Sequence, residues 1–193
     1  MKNAIGLFFY LLSIPLFGFA QNDSIGVYYQ TDNGLAKIEP IQYSQTKTST
    51  LGATLTMGIA GSKIKTVYKG SSSKNITGKS PVFYFYYKKN IPFDMIKRYY
   101  MFYSSSTPTD ILLARFNSKK KTRELQVGKV NTYTGITLGT ANDLNVETKI
   151  ERVKDGVYKI TFDQPLDVGE YCFLFNAPNG SGAYMSVFDF SVN

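Results

Sequence analysis

The chain has no histidine and only one cysteine among its 193 residues. Without an imidazole, neither a Ser-His-Asp triad nor a Cys-His pair can form, and a zinc site with histidine ligands is excluded. The single thiol, Cys172, also excludes an internal disulfide, a thiolate zinc cluster and a dithiol redox centre. We therefore predict no metal site and no cofactor. An enzyme built from this chain would have to use carboxylate, lysine or tyrosine chemistry.

Acidic residues are fewer than basic ones, 14 against 22, which leaves a formal net charge of +8. They are scattered, and most occupy turn positions, where aspartate caps and bends the chain. A retaining glycosidase needs two carboxylates about 5 Å apart, on facing strands or loops, and a sequence cannot show such a pair. A non-enzymatic protein is therefore predicted, with no catalytic residue assigned. A carboxylate-dependent glycan hydrolase is kept as the alternative.

The N-terminus carries a long apolar run, residues 4–19, directly after Lys2. Gly18 and Ala20 occupy the small-residue positions that a signal peptidase requires. The run is shorter than the ~20 residues of a membrane-spanning helix. We therefore predict that residues 1–20 are a signal peptide cleaved after Ala20, and that the protein is exported to the periplasm or beyond the cell. Residues 21–193 are then one domain without a transmembrane segment.

The rest of the chain consists of short apolar runs separated by turn residues. Asn33-Gly34 between two such runs is a strong hairpin signal. Residues 111–116 and 123–128 are predicted to be hairpin mates around a basic tip. Helical periodicity is absent outside residues 93–103, which form either a short helix or an insertion between strands. This pattern predicts an all-β fold, a two-sheet antiparallel Greek-key sandwich of the immunoglobulin-like kind.

The most informative run is residues 166–175, near the C-terminus. Leu166, Gly169 and Tyr171 match the Leu-x-x-Gly-x-Tyr pattern of a tyrosine corner, where the chain crosses between sheets and the Tyr hydroxyl bonds an upstream backbone group. Gly169 suits a corner because glycine tolerates positive φ. The following residues are apolar at every position, so we predict a central strand buried on both faces, with Cys172 as a buried apolar residue.

Several motifs together resemble an uncharacterised group of secreted bacterial β-sandwich proteins. They are G-V-Y-Y, P-V-F-Y-F-Y, K-K-x-R-E-L, G-V-Y-K-I-T, G-E-Y-C-F and the terminal F-D-F. They are core and turn patterns spread over most of the chain after residue 20. The resemblance therefore implies a β-rich fold and export, and no activity.

Basic and aromatic residues form the most suggestive group for binding. Cations beside exposed aromatic rings can stack on sugars and pair with anionic groups. We predict that a ligand, if bound, contacts a basic-aromatic surface, provided that the strand order brings its parts to one end of the fold. The members of this predicted surface are Lys88, Lys89, Lys119, Lys120, Lys121, Tyr86 and Tyr87.

The expected partners are an anionic cell-envelope polymer, a glycan or another protein, because these are the molecules that an exported protein meets. Nucleic acid is not an expected partner of an exported protein. A structural or assembly role remains a further alternative, and exposed unpaired strand edges would favour it.

Overall fold

The computed structural model describes residues 24–49, 61–88, 90–105, 107–131, 133–138, 145–175 and 186–193. The described chain is mostly β-structure, as the sequence predicts. Its strands are β1 (Gly26–Thr31), β2 (Gly34–Ile38), β3 (Gln45–Ser49), β4 (Ser62–Lys69), β5 (Ile76–Thr77), β6 (Phe83–Tyr86), β7 (Ile111–Arg115), β8 (Asn117–Ser118), β9 (Thr122–Asn131), β10 (Gly135–Leu138), β11 (Asn145–Val146), β12 (Lys149–Lys154), β13 (Val157–Thr161), β14 (Gly169–Phe175) and β15 (Phe188–Val192).

The described strands form three sheets. Sheet I has the order β12-β13-β6-β1-β2, sheet II the order β11-β7-β14-β15-β5, and sheet III the order β10-β9-β4-β3 with β8 beside β9. All pairings are antiparallel except the one between β15 and β5. The prediction of a β-rich, antiparallel fold is confirmed, but the described structure has three sheets and is not a clear two-sheet sandwich of the immunoglobulin-like kind. The additional sheet exists because sheet II is apolar on both faces and each face needs its own cover.

Sheet II is the middle layer, with a separate hydrophobic core on each face. The first core packs sheet II against sheet I, and Phe173 lies with its ring centroid 4.9 Å from that of Phe83 and 5.0 Å from that of Phe85. The second core packs sheet II against sheet III and contains Cys172 and Leu174 together with residues of β4 and β9. The prediction that β14 is a central strand buried on both faces is confirmed.

Two short helices, α1 (Phe93–Ile96) and α2 (Tyr100–Ser104), and a 3-10 helix (Pro108–Asp110) lie between β6 and β7. The ambiguous 93–103 segment is thus an insertion between strands that contains helical turns. Met101 and Phe102 of α2 are buried in the first core, because the helix covers the end of that core. Within the described residues, no helix has the length and apolar character needed to cross a membrane.

Two loops that the sequence marks as turns behave differently. The β1–β2 hairpin is confirmed, since Thr31 pairs with Gly34, and Gly34 has a φ of 115°, which favours glycine. The predicted pairing of residues 111–116 with 123–128 is wrong. Strand β7 pairs with β14 in sheet II, and the short strand β8, residues 117–118, is the part of this connection that pairs with β9. The chain leaves sheet II at Phe116 and enters sheet III, because Leu113 and Ala114 of β7 are needed in the two cores of sheet II.

The corner segment joins β13 of sheet I to β14 of sheet II. The Tyr171 hydroxyl donates a hydrogen bond of 2.9 Å to the Asp167 carbonyl oxygen, which is the kind of bond that the tyrosine-corner spacing predicts. Leu166 is buried in the first core. The reason given for Gly169 is wrong, because its φ is not positive. A Cβ at Gly169 would lie 3.0 Å from the Arg115 guanidinium, so glycine is needed for this close approach.

Candidate functional site

A buried ionic cluster, the Arg123 network, lies at one end of the second core. It consists of Arg123 from β9, Glu170 from β14, and Asp189 and Ser191 from β15. In the register of β14 and β15, Glu170 lies opposite Ser191, and Asp189 lies opposite Cys172. Since Cys172 belongs to the second core, the side chains of Glu170, Asp189 and Ser191 lie on the face of sheet II that is turned towards sheet III. Arg123 approaches from sheet III and is only 3% exposed.

The Arg123 guanidinium holds both carboxylates through a single nitrogen. Nη1 lies 3.3 Å from Glu170 Oε2 and also pairs with Asp189 Oδ2. The other Glu170 oxygen accepts a hydrogen bond of 2.6 Å from the Ser191 hydroxyl. Since a buried charge is tolerated only when it is paired and hydrogen-bonded, these contacts explain how three ionisable groups lie inside the protein.

The segment after β4 completes the network through its backbone and side chains. The Ser73 amide donates to Glu170 Oε2 at 2.7 Å, and the Ser73 hydroxyl donates to the Asp189 carbonyl oxygen at 3.1 Å. The Asn75 side-chain amide donates to the same carbonyl at 2.9 Å. The network therefore ties the segment 73–75 to sheet II, close to where β5 joins that sheet.

One donor of the network is left over. Arg123 Nε is buried and has no hydrogen-bond partner among the described residues. The guanidinium carbon lies 5.2 Å from the centroid of the Phe116 ring, so one side of the group is covered by an aromatic face. A buried donor without an acceptor costs free energy, and in native proteins such an exception calls for a physical explanation.

A pocket of about 790 Å³ opens above the Arg123 network. Its walls come from the segment 40–44 after β2 and the segment 69–75 at the end of β4, and its floor includes Arg123 and Asp189. Lys37, Lys69 and Lys74 also line it, and none of the three has a carboxylate partner within the part of the chain that the structure describes. The lining Glu39 is neutralised by an ion pair with Arg98. The pocket therefore has an excess of positive charge.

Glu170 and Asp189 are the obvious pair of carboxylates for the hydrolase alternative. Because both contact one nitrogen, their oxygens lie within roughly 6 Å of each other. Glycosidases do use carboxylates at about this separation. Here, however, Arg123 lies between them, and Glu170 does not line the pocket. Both Glu170 oxygens and Asp189 Oδ2 are engaged in structural contacts, an arrangement that does not favour a catalytic pair.

The outer face of sheet III carries a second basic feature, the lysine face, which consists of Lys47, Lys63, Lys65 and Lys129. The strand register places Lys47 directly opposite Lys65, and Lys63 directly opposite Lys129. Directly opposed like charges destabilise a sheet, typically by a few tenths of a kcal/mol or more. The sheet therefore keeps two unfavourable cross-strand pairs side by side.

A single carboxylate of sheet III contacts these lysines in the described structure. Glu124 on β9 pairs with Lys65 at 2.9 Å, and the hydrogen bond from that ammonium lowers the pKa of Glu124 against the opposing effect of burial. Lys47 and Lys119 lower it further through their charges. Lys119 thus adds to the positive potential on this side of sheet III, while Lys47, Lys63 and Lys129 remain without an ion-pair partner among the described residues.

The residues that the sequence predicts for binding lie in two different sheets. Tyr86, Tyr87 and Lys88 are at the end of β6 in sheet I, and Lys119, Lys120 and Lys121 form the exposed β8–β9 turn of sheet III. Lys89 lies outside the described residues. No hydrogen bond, ion pair or ring contact between described residues joins the two groups. That they form one ligand surface stays a prediction.

The two tyrosines are partly occupied in packing. The Tyr87 ring centroid lies 5.0 Å from that of Phe102, its hydroxyl bonds Ser105, and burial raises the pKa of Tyr87. The Tyr86 ring packs on Tyr28 at 4.9 Å, and burial also raises the pKa of Tyr86. Both rings are half-buried, so each leaves only part of its face for a ligand.

Sequence reasoning missed the lysine face and the Arg123 network. Lys63-x-Lys65 within an alternating run was a signal that two lysines share a strand face. Their opposition to Lys47 and Lys129 depends on strand order, which no local pattern shows. Cys172 behaves as predicted, since it is fully buried and burial raises the pKa of its thiol. Among the described residues, no group of three or more His, Cys, Asp or Glu side chains could hold a metal ion.

No protein-family model, no curated protein and no solved structure matches this chain.

Proposed function

We propose that the protein is an exported, non-enzymatic binding protein that holds an anionic polymer, such as a cell-envelope polymer or an acidic glycan, on the lysine face. The observation that carries the proposal is the presence of two pairs of directly opposed lysines, Lys47 with Lys65 and Lys63 with Lys129. An anionic chain lying across these strands relieves the repulsion and gains attraction from the excess positive charge of the whole chain.

The proposal is tested with Lys47→Glu/Lys63→Glu, which changes one member of each opposed pair. Retention on a heparin column should fall to a much lower salt concentration. The free energy of unfolding should rise by about 0.5 kcal/mol at low salt through Lys63→Glu, because the repulsion with Lys129 becomes an attraction; Lys47→Glu should add little, because Glu124 already pairs with Lys65. A variant that binds less while it folds more stably separates a binding role from a structural one.

The matched control is Lys79→Glu/Lys154→Glu, which makes the same change of net charge at exposed positions away from sheet III. Elution of the control at the same salt concentration as the lysine-face variant would show that only net charge matters, and the proposal would be wrong. A third variant, Lys119→Ala/Lys120→Ala/Lys121→Ala, tests whether the β8–β9 turn extends the lysine face.

Export is a separate part of the proposal and rests on the apolar run and the Gly18-Phe19-Ala20 site. We expect the mature chain to begin at Gln21. Mass spectrometry of the protein isolated from its native cells checks this directly. A cellular protein that retains residues 1–20 would remove the cleavage prediction, and fractionation separates a periplasmic form from a released form.

A partner protein that adds a strand is less well supported than a polymer. Strand β3 is an edge of sheet III, and all five of its residues are exposed. Lys47 lies in the middle of this edge, and a charged residue at that position is a common device that prevents pairing with another chain. The same lysine therefore favours the polymer and disfavours strand addition.

A further inference from the structure

The pocket above the Arg123 network is a second candidate site, and it does not depend on the lysine face. Its floor is buried and built from several chain segments that are held by the hydrogen bonds of Ser73 and Asn75. A volume of about 790 Å³ is within the range of small-molecule sites. The walls hold groups of three kinds, and each restricts the chemistry of a ligand.

Positive charge is the first restriction. Lys37, Lys69 and Lys74 line the pocket without carboxylate partners among the described residues, whereas the carboxylates that line it are each paired with an arginine. Lys37 is held in place, since its ammonium lies 5.2 Å from the Tyr99 ring centroid. A ligand that carries negative charge is therefore favoured, because it can form charge-assisted hydrogen bonds with these ammonium groups.

The Arg123 guanidinium at the floor is the second restriction. Arg123 is 3% exposed and lines the pocket, and its Nε has no acceptor among the described residues. Nε itself is buried, so what the pocket offers to a ligand is the small exposed part of the guanidinium, whose N–H groups attract an oxygen acceptor at the floor. The ligand should therefore carry oxygen acceptors as well as charge.

The aromatic and polar rim is the third restriction. Tyr43 is 42% exposed and lines the pocket, so part of its ring is free to cover an apolar ring face. The exposed side chains of Gln42 and Ser72 offer an amide and a hydroxyl to neighbouring hydroxyl groups. A flat-faced, hydroxyl-rich ring with one anionic substituent satisfies all three kinds of group.

We propose that this pocket binds a single acidic sugar unit of the uronic acid type, either free or at the end of a polymer. The carboxylate is held by the lysines of the wall, the sugar ring covers Tyr43, and ring oxygens reach towards Arg123. The lysine face and the pocket use different residues, so either can fail without the other.

The test is calorimetric titration of the purified protein with galacturonate, with galactose as the neutral counterpart and with inorganic phosphate as an anion without a ring. Galacturonate should bind at least tenfold more tightly than galactose or phosphate. Equal affinity for galactose would remove the role of the charge. Equal affinity for phosphate would reduce the pocket to a simple anion site. Absence of galacturonate binding would overturn the proposal.

Two variants locate the binding. Lys69→Gln/Lys74→Gln should weaken galacturonate binding at least tenfold, and Tyr43→Ala should weaken galacturonate binding without affecting phosphate. All three residues are exposed, so folding should be retained, which circular dichroism checks. Lys79→Gln/Lys154→Gln is the control and should bind as the parent does. The lysine-face variant Lys47→Glu/Lys63→Glu should also keep galacturonate binding. If this variant lost galacturonate binding and the pocket variants kept it, the proposal that the pocket is the site would be wrong.

Discussion

The two faces of sheet II are packed in contrasting ways. The first core is built from apolar side chains and aromatic rings, such as Phe83, Phe173 and Phe190, whose centroids lie 4.6 to 5.7 Å apart. The second core is smaller and ends in the Arg123 network. Both buried side-chain atoms that lack a hydrogen-bond partner in the described structure, Tyr68 Oη and Arg123 Nε, are also on this side.

The difference separates a core of apolar packing from a core that keeps a buried ionic network. Edge-to-face aromatic packing adds to the burial of apolar area and leaves no polar group to satisfy. A buried network of one cation and two anions is costly to desolvate, and replacing such groups with apolar ones often does not reduce stability. The second core therefore retains a costly arrangement at the place where the pocket opens, which is what we expect if the pocket is the ligand site proposed above.

The largest expected effect breaks the Arg123 network. Arg123→Met leaves Glu170 and Asp189 buried without a cation, and we expect it to lower the free energy of unfolding by about 3 to 5 kcal/mol. Adding Glu170→Gln and Asp189→Asn removes the uncompensated charges, so the triple variant should recover a large part of that loss. Urea denaturation of the three proteins measures both quantities.

The matched change in the first core is Phe173→Ala, which should cost a similar amount, about 3 to 5 kcal/mol, through lost burial and a cavity. Neutralising Glu170 and Asp189 should not restore the stability of Phe173→Ala, since Phe173 lies on the opposite face of sheet II from both carboxylates. If Glu170→Gln/Asp189→Asn rescued Phe173→Ala as well as Arg123→Met, the two faces would not be energetically distinct.

An intermediate effect is expected at the corner that joins β13 of sheet I to β14 of sheet II. Tyr171→Phe removes the hydrogen bond to the Asp167 carbonyl and keeps the ring, so we expect a loss of roughly 1 kcal/mol with the fold retained. Tyr103→Phe is the control, because Tyr103 is 58% exposed. Equal losses in the two variants, measured by thermal or urea unfolding, would show that the corner bond contributes nothing.

The smallest effect is expected on the solvent side of sheet III, at Glu124. Its pKa is lowered in the folded protein by Lys65, so its pairing stabilises the fold above the ordinary carboxyl pKa of 4.5 and the effect is lost as the pH falls through the lowered value. Glu124→Gln should therefore be less stable than the parent at pH 7 by a few tenths of a kcal/mol. The two should converge at acidic pH. A difference that stays constant down to pH 2 would mean that the ion pair with Lys65 is not its cause.

Local pattern was sufficient wherever a prediction depended on neighbouring residues in the chain. The alternation of Tyr171, Phe173 and Phe175 with Cys172 and Leu174 predicted a strand buried on both faces, because side chains alternate strictly along a strand. The spacing from Leu166 to Tyr171 predicted a crossing between sheets with a hydrogen bond to the upstream backbone. The absence of histidine excluded whole classes of active site without any structure.

Strand order and register were decided only by the tertiary structure. The sequence could not show that β7 pairs with β14 in sheet II and not with β9, since the choice of partner depends on which apolar faces are available elsewhere in the fold. Arg123 lies in a run that alternates like any exposed strand, and its partners are 47 and 66 residues further along the chain. Lys63 meets Lys129 across the same kind of distance. Ion pairs and like-charge pairs of this range follow from long-range pairing of strands, and no local preference encodes them.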